Sequence, residues 1–320
     1  MTKVYRQIQD VKLTNNTILT IGTFDGVHLG HKKILNQLLQ KKQETGFETF
    51  VFTFDPHPRK VLFPEQSDLK LITETEEKIN LLNQSGIDHV LLYPFNKTFS
   101  EISPEDYISN LLVAKLKAKY IIVGYDHRFG KNRAGNLELL LSFSEKYNYK
   151  VIEIAAEDID SINISSTQIR KAIEAGEIQK ANQFLGYDFF VTGKVIEGKK
   201  LGRTIGFPTA NIILDSADKI IPKQGVYAVN ATIRNKTYNG MLNLGINPTV
   251  STNNQLKMEV HLFDFNELIY GETIKIEFKE RIRDEKKFTD LNQLKEQLHI
   301  DKKNAIDFLN NYSKKRSKHL

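Results

Sequence analysis

A chain of 320 residues exceeds what one hydrophobic core usually organises, and with 40% hydrophobic and 26% charged residues it is expected to form two folded domains rather than a disordered polymer. The sequence has no cysteine, which excludes a disulfide framework, a thiolate nucleophile and Cys-ligated zinc, and makes the cytoplasm the default location. The net charge of +6 sits in short runs (Lys199-Lys200, Lys286-Lys287, Lys314-Lys315-Arg316) that read as solvated surface, residues 1–13 lack a signal-peptide apolar stretch, and no window is long enough to span a bilayer.

In chain order, apolar runs at residues 17–21, 49–54, 89–93, 120–123 and 151–154 alternate with helical patterns, which predicts an α/β fold with a parallel sheet. Ile34, Leu35, Leu38 and Leu39 make the stripe of the first helix, and Ser103-Pro104-Glu105-Asp106 opens another with an N-cap and Pro at the first helical position. From Tyr187 the pattern changes to short runs at 189–196, 226–233, 237–244, 256–263 and 273–278, separated by Gly and Asn turns, which predicts a small antiparallel β-barrel. Asn235 and Lys236 are expected to form a tight turn, and residues 287–312 return to helical period through Leu291, Leu294, Leu298, Ile306 and Leu309. The change of period gives domains of 1–185 and 186–320.

A doubly wound sheet places ligands beyond the carboxyl ends of its strands, so the segments following strands are the site candidates. After the first run comes Gly22-Thr23-Phe24-Asp25-Gly26-Val27-His28-Leu29-Gly30-His31, a glycine-rich turn leading into a helix N-terminus, where backbone N–H groups and the helix dipole favour phosphate. His28 and His31, three apart, point the same way and can donate hydrogen bonds to a polyphosphate; a zinc pair would need a third ligand for which no matching spacing is visible. Three further segments follow strands: Pro56-His57-Pro58, Asp126-His127-Arg128, and Ser165-Ser166-Thr167 with Arg170 one turn later. By themselves they read as a Pro-rich loop, a turn and a capped helix start.

The HxGH signature resembles the nucleotidyltransferase superfamily, and the longer GTFDGVHLGH string is similar to its flavin-adenylylating branch, the bacterial FAD synthetases. That resemblance implies a Rossmann-like domain in which FMN phosphate attacks the α-phosphorus of ATP and pyrophosphate leaves. His28 and His31 would stabilise charge, and Gly22, Phe24, Asp25, Gly30, Ser165, Ser166, Thr167 and Arg170 would surround ATP. Pro56, His57, Pro58, Asp126 and Arg128 would contact flavin. The family usually has Phe where this chain has His127, which bears on substrate affinity rather than on the reaction.

In the second half, residues 198–211 hold three glycines, Gly198, Gly202 and Gly206, before Phe207-Pro208-Thr209-Ala210-Asn211. Met258-Glu259-Val260-His261-Leu262-Phe263 reads as a strand with Glu259, His261 and Phe263 on one face. These strings resemble riboflavin kinases, with a barrel fold and terminal helices. The resemblance implies that Thr209 and Asn211 hold Mg2+ with ATP, that Glu259 is the base activating the ribityl hydroxyl, and that Asn243, Arg281 and Arg283 lie near nucleotide or flavin. Arg281 and Arg283, two apart on a strand end, are expected on one face. The family pattern often reads LYG where this chain has Leu268-Ile269-Tyr270-Gly271, one residue longer.

The expected function is therefore conversion of riboflavin to FMN and of FMN to FAD, with ATP and Mg2+, and with small-molecule partners rather than nucleic acid or membrane. The oligomeric state is not legible. A different HxGH nucleotidyltransferase would leave residues 187–290 unexplained, and a nucleic-acid-binding barrel would need basic and aromatic residues interleaved along one strand face.

Overall fold

The computed structural model describes residues 2–66, 68–125, 127–154, 164–198, 201–247 and 255–316. The chain divides into two compact units, Met1–Ser166 and Thr167–Leu320.

In the first unit, strands β1 (Lys3–Tyr5), β2 (Thr17–Ile21), β3 (Glu48–Phe54), β4 (His89–Tyr93), β5 (Ala118–Gly124) and β6 (Lys150–Ile154) form a parallel sheet in the order β1-β4-β3-β2-β5-β6. All five residues of β2 are buried, as they must be in a central strand covered on both faces. Alternation sorts the side chains: Leu19, Ile21, Phe50 and Phe52 enter one core cluster, Ile18 and Val51 the other. The order reverses at β2, with β3 on one side and β5 on the other, so the carboxyl ends of β2 and β5 bound the crevice where such sheets bind ligands. The helix Leu29–Thr45 leaves this crevice and stops at Gly46, whose φ of 71° is the left-handed conformation glycine accepts freely. Ser103 caps the next expected helix, its hydroxyl accepting from the Asp106 amide at 3.1 Å; the chain then winds as a π-helix over Tyr107–Lys115. Strand β1 carries no apolar alternation and was not expected; it is held by parallel pairing to β4 and by the Tyr5 hydroxyl against His89 Nδ1 at 3.1 Å.

In the second unit, two helices, Ser166–Ala175 and Ile178–Leu185, precede β7 (Phe190–Ile196), β8 (Ala210–Leu214), β9 (Gly225–Ile233), β10 (Lys236–Asn247), β11 (Gln255–Leu262) and β12 (Thr273–Arg283). These strands close into the expected antiparallel barrel, in the order β10-β11-β8-β7-β12-β9. The tight turn lies one residue earlier than expected: Lys236 pairs with Ile233, and Arg234 and Asn235 take the corner with φ of 48° and 63°. Two positive φ values in succession suit the right-handed twist of a hairpin. The last helix runs over Leu291–Arg316 and starts later than the periodicity suggested. Asp290 sets the start, its carboxylate accepting from the amides of Asn292 and Gln293, both at 2.9 Å. Near the far end of that helix, the Tyr312 hydroxyl donates to Asp188, which is also paired with the buried Lys279 ammonium at 2.7 Å.

Candidate active sites

The Gly22–His31 loop leaves β2 at the reversal of strand order. Phe24, Gly26 and Val27 have φ of 50°, 85° and 36°, so the loop is coiled tightly, and the Val27 amide closes back on the Phe24 carbonyl at 3.2 Å. Asp25 is buried and accepts from the amides of Ile72 and Thr73 at 2.9 and 3.0 Å, fastening the loop to the segment before the helix Thr75–Gln84. Phe24 is also buried, with its ring 4.9 Å from that of His31. His28 caps the helix: its Nδ1 accepts from the His31 amide at 3.4 Å, so in the neutral ring Nε2 carries the proton and is the donor. The two imidazoles stack with centroids 3.7 Å apart. Burial first, then His28 and Lys78, hold the His31 pKa well below the ordinary histidine value, so it stays neutral at physiological pH.

Lys78 was not visible as a site residue in the sequence. It lies four residues before the fully buried Leu82 on its helix, and its ammonium reaches the Phe54 carbonyl at 2.9 Å and the Thr23 carbonyl at 3.4 Å, at the ends of β3 and β2. Burial lowers its pKa to about 8, against the opposing pull of Asp25 and Asp55.

The other expected segments are placed as follows. His57 caps the short helix Pro58–Leu62, its Nδ1 accepting from the Arg59 amide at 3.2 Å, and Pro56 is exposed beside it. Asp126 lies outside the described residues; Arg128 is exposed. The His127 ring is stacked 5.7 Å from Phe129, and burial pushes its pKa down to about 4, with Arg133 adding to the effect. Kept neutral, the imidazole stacks there without burying a charge, though it retains polar ring nitrogens that a Phe ring lacks. The Ser166 hydroxyl donates to the Asp25 carbonyl at 3.1 Å, which joins this segment to the Gly22–His31 loop; Ser165 and Thr167 are exposed, and Arg170 is half-buried on the Ser166–Ala175 helix.

In the barrel the site is built by strand register. Glu259 of β11 pairs with Asn211 of β8 on one side and with Asn243 of β10 on the other; Asn243 pairs with Val226 of β9, and Val226 with Arg283 of β12. Directly paired residues project to the same face, so Asn211, Glu259, Asn243 and Arg283 form one rung around the barrel. That rung lines a cavity of about 560 Å³, walled also by Gly198, Gly202, Phe207, Phe288 and the first turns of the last helix through Leu291, Leu294 and Leu298. Glu259 is paired with Lys257 at 2.8 Å. Glu259 and His261 line the cavity and Met258, Val260 and Leu262 are buried, but the expected alternation is incomplete: Met258 also borders the cavity, and Phe263 is buried away from its wall. Thr209 lines this cavity and also a second one of about 330 Å³, bounded by Arg203, Phe265, Leu268 and Tyr270.

Three glycines were expected at this site. A Cβ on Gly198 would overlap the Asn211 amide, and one on Gly202 would overlap the Phe207 carbonyl, so both give room to residues of the cavity wall. Gly206, with φ of 84°, instead turns the chain before Phe207. The two arginines do not share a face, contrary to expectation. A bulge between Arg281 and Arg283 sets Arg281 opposite Tyr227 and Arg283 opposite Val226, and adjacent strand positions project to opposite sides. Arg281 is turned to the Gln224 carbonyl and Asp284, at 2.5 and 2.6 Å, and is absent from the cavity wall; Arg283 lines it while held by Asp301 at 2.6 and 2.9 Å.

A family model described as FAD synthetase matches residues 10–168, and one described as riboflavin kinase matches residues 185–309. A Bacillus subtilis relative named bifunctional riboflavin kinase/FMN adenylyltransferase is 39% identical over 301 residues, covering 93% of this chain and 94% of its own. The chain belongs to the bifunctional riboflavin kinase/FMN adenylyltransferase family. Another member of this family, from Escherichia coli K12, is 36% identical over 292 residues, 91% of this chain and 92% of its own. A crystal structure from Streptococcus pneumoniae, described as a macrolide-efflux protein, matches with a TM-score of 0.85 at 31% identity, covering 94% of this chain and 97% of that one. Among the described residues of this chain no helix is long and apolar enough to cross a membrane.

Proposed function

We propose that the chain makes FAD from riboflavin in two ATP-dependent steps at two sites, phosphorylation at the barrel and adenylylation at the sheet, and that residues 186–320 and 1–185 are the corresponding functional segments. The observation that carries this reading is the rung Asn211–Glu259–Asn243 on the wall of a cavity that shares Thr209 as a lining residue with a second cavity.

In the kinase step the larger cavity, with Phe207, Phe288 and leucine side chains on its wall, takes the flavin ring, and the smaller groove takes the nucleotide. Glu259 accepts the proton of the ribityl hydroxyl as that oxygen attacks the γ-phosphorus of ATP and ADP leaves. Asn243 orients the ribityl chain beside it, and Arg283 borders the same cavity. Thr209 and Asn211 offer two neutral, hard oxygens, and the described residues contain no cluster of three His, Cys, Asp or Glu side chains. That donor set fits Mg2+, which keeps water and phosphate oxygens as its remaining ligands. Bound there, it would neutralise charge on the transferring phosphoryl group.

In the adenylylation step no protein nucleophile is needed. Gly22 and Gly30 let the backbone approach the phosphates, His28 Nε2–H donates to the oxygens that gain charge as pyrophosphate leaves, and His31 stacks behind it as a neutral ring. Phe24 and Asp25 hold the loop in shape. Ser165, Ser166, Thr167 and Arg170 complete the phosphate side, and Pro56, His57, Pro58, Asp126 and Arg128 the flavin side. ATP as the donor and a sequence without cysteine support a cytoplasmic location, and the partners are the small molecules riboflavin, FMN and ATP.

Incubation of the purified protein with riboflavin, ATP and Mg2+, followed by chromatography of the flavins, is expected to yield FMN and FAD. FMN without FAD would remove the adenylylation claim, and unchanged riboflavin both. Glu259→Ala is expected to lower riboflavin phosphorylation about 10²–10⁴-fold while leaving added FMN convertible to FAD; His31→Ala is expected to do the reverse.

A further inference from the structure

We propose that His261 is a positioning residue of the kinase site, holding the Pro208–Thr209 peptide so that Thr209 stays at the wall it contributes to both cavities. The inference rests on the assignment of the kinase reaction to the barrel and adds a residue to which no role has been given.

His261 follows Glu259 by two residues on β11, so it shares the cavity face, and it is only 6% exposed. Its Nδ1 lies 2.8 Å from the Pro208 carbonyl oxygen. A carbonyl only accepts, so Nδ1 carries the proton and the tautomer is fixed. Nε2 is buried and makes no hydrogen bond to the described residues, so the one protein hydrogen bond of the ring is that of Nδ1. The Phe207 and Phe263 rings meet the imidazole edge-on at 5.2 and 5.7 Å and prevent it from turning. Burial keeps the His261 pKa below the ordinary histidine value, so it stays a neutral single donor.

The bonded carbonyl belongs to the peptide plane that ends at the Thr209 Cα, because the six atoms of a peptide unit are coplanar. Fixing its oxygen fixes the orientation of that plane and hence the direction in which Thr209 departs. The neighbouring restraints lie to either side: the Phe207 amide donates to the Gly202 carbonyl at 2.8 Å, and ladder pairing with β11 begins only at Ala210 opposite Val260. Pro208 itself has no N–H to contribute. The His261 bond therefore spans the gap in which Thr209 sits.

The test uses full-length His261→Leu, His261→Asn and His261→Gln. Asn places an amide N–H where Nδ1–H was, whereas Gln places its amide at the position of Nε2. In His261→Leu the KM for ATP at saturating Mg2+ is expected to rise about 10–100-fold with a smaller change in the KM for riboflavin. In the nucleotide-free protein, hydrogen exchange in a peptide spanning residues 205–212 is expected to accelerate. His261→Asn is expected to restore both, His261→Gln neither, and FMN adenylylation by the same preparations should be unchanged. Rescue by Gln and not Asn, or wild-type behaviour of the Leu variant, would overturn the proposal. Should the Leu variant fail to fold, the Asn and Gln pair decides it alone. If the wild type had no riboflavin kinase activity, the functional reading would fail while the exchange comparison would still test the peptide clamp.

Discussion

At position 198 the lack of a side chain matters because of what lies opposite: a Cβ there would overlap the Asn211 amide. Gly198→Ala is therefore expected to push Asn211 off the rung it shares with Glu259, raising the KM for ATP in the kinase assay about tenfold while FMN adenylylation stays unchanged, as steady-state kinetics of the two reactions would show. Thr209, Asn211 and Glu259 were legible as candidates because they stand in ordered motifs, and the strand register sets Glu259 opposite Asn211. Lys257 and His261 were not, since alternation says which way a side chain points but not what it meets. The Lys257–Glu259 pair lies within one strand, whereas the His261 bond to Pro208 exists only once that strand and the preceding loop are packed together.

Among elements, the helix Thr75–Gln84 has a larger part than its sequence suggests, because it carries Lys78 under the ends of β2 and β3. With a pKa of about 8 against an ordinary 10.5, Lys78 is charged below pH 8 and loses that charge above it. FMN adenylylation is expected to fall on the alkaline side with a midpoint near pH 8, and this limb should vanish in Lys78→Met, as pH–rate profiles of the two proteins would reveal. Stability moves the other way. Between 8 and 10.5 the unfolded chain binds the proton that the folded chain has released, so the wild type gains stability with rising pH relative to Lys78→Met. Strand boundaries were legible in β2 and β4, whose observed limits are those expected, and within one or two residues in β3 and β5. Strand β1, the Arg234–Asn235 corner and the β12 bulge were not, for one reason: each is defined by a partner strand or by backbone dihedrals rather than by its own hydrophobic pattern.

For the whole molecule, the sheet and the barrel each have a core of their own, and the two sets of site residues do not overlap. Two variants that each lack one activity should therefore complement in solution. An equal mixture of His31→Ala and Glu259→Ala is expected to form FAD from riboflavin after a lag in which free FMN accumulates, whereas neither alone does so; a mixture that stays inactive would show that FMN never leaves the protein on which it is made. The two architectures were legible because the hydrophobic period changes between them. The rung that unites Asn211, Glu259 and Asn243 has a further consequence in time. It comes into being only when β8 pairs with β11, which is synthesised after β9 and β10, and such contacts of high sequence separation form slowly. During synthesis the sheet unit can complete its loops while the barrel is still an open ribbon. A polypeptide released from the ribosome before β11 would thus hold the whole segment matched by the FAD synthetase model and only part of that matched by the riboflavin kinase model, leaving it dependent on FMN supplied from elsewhere.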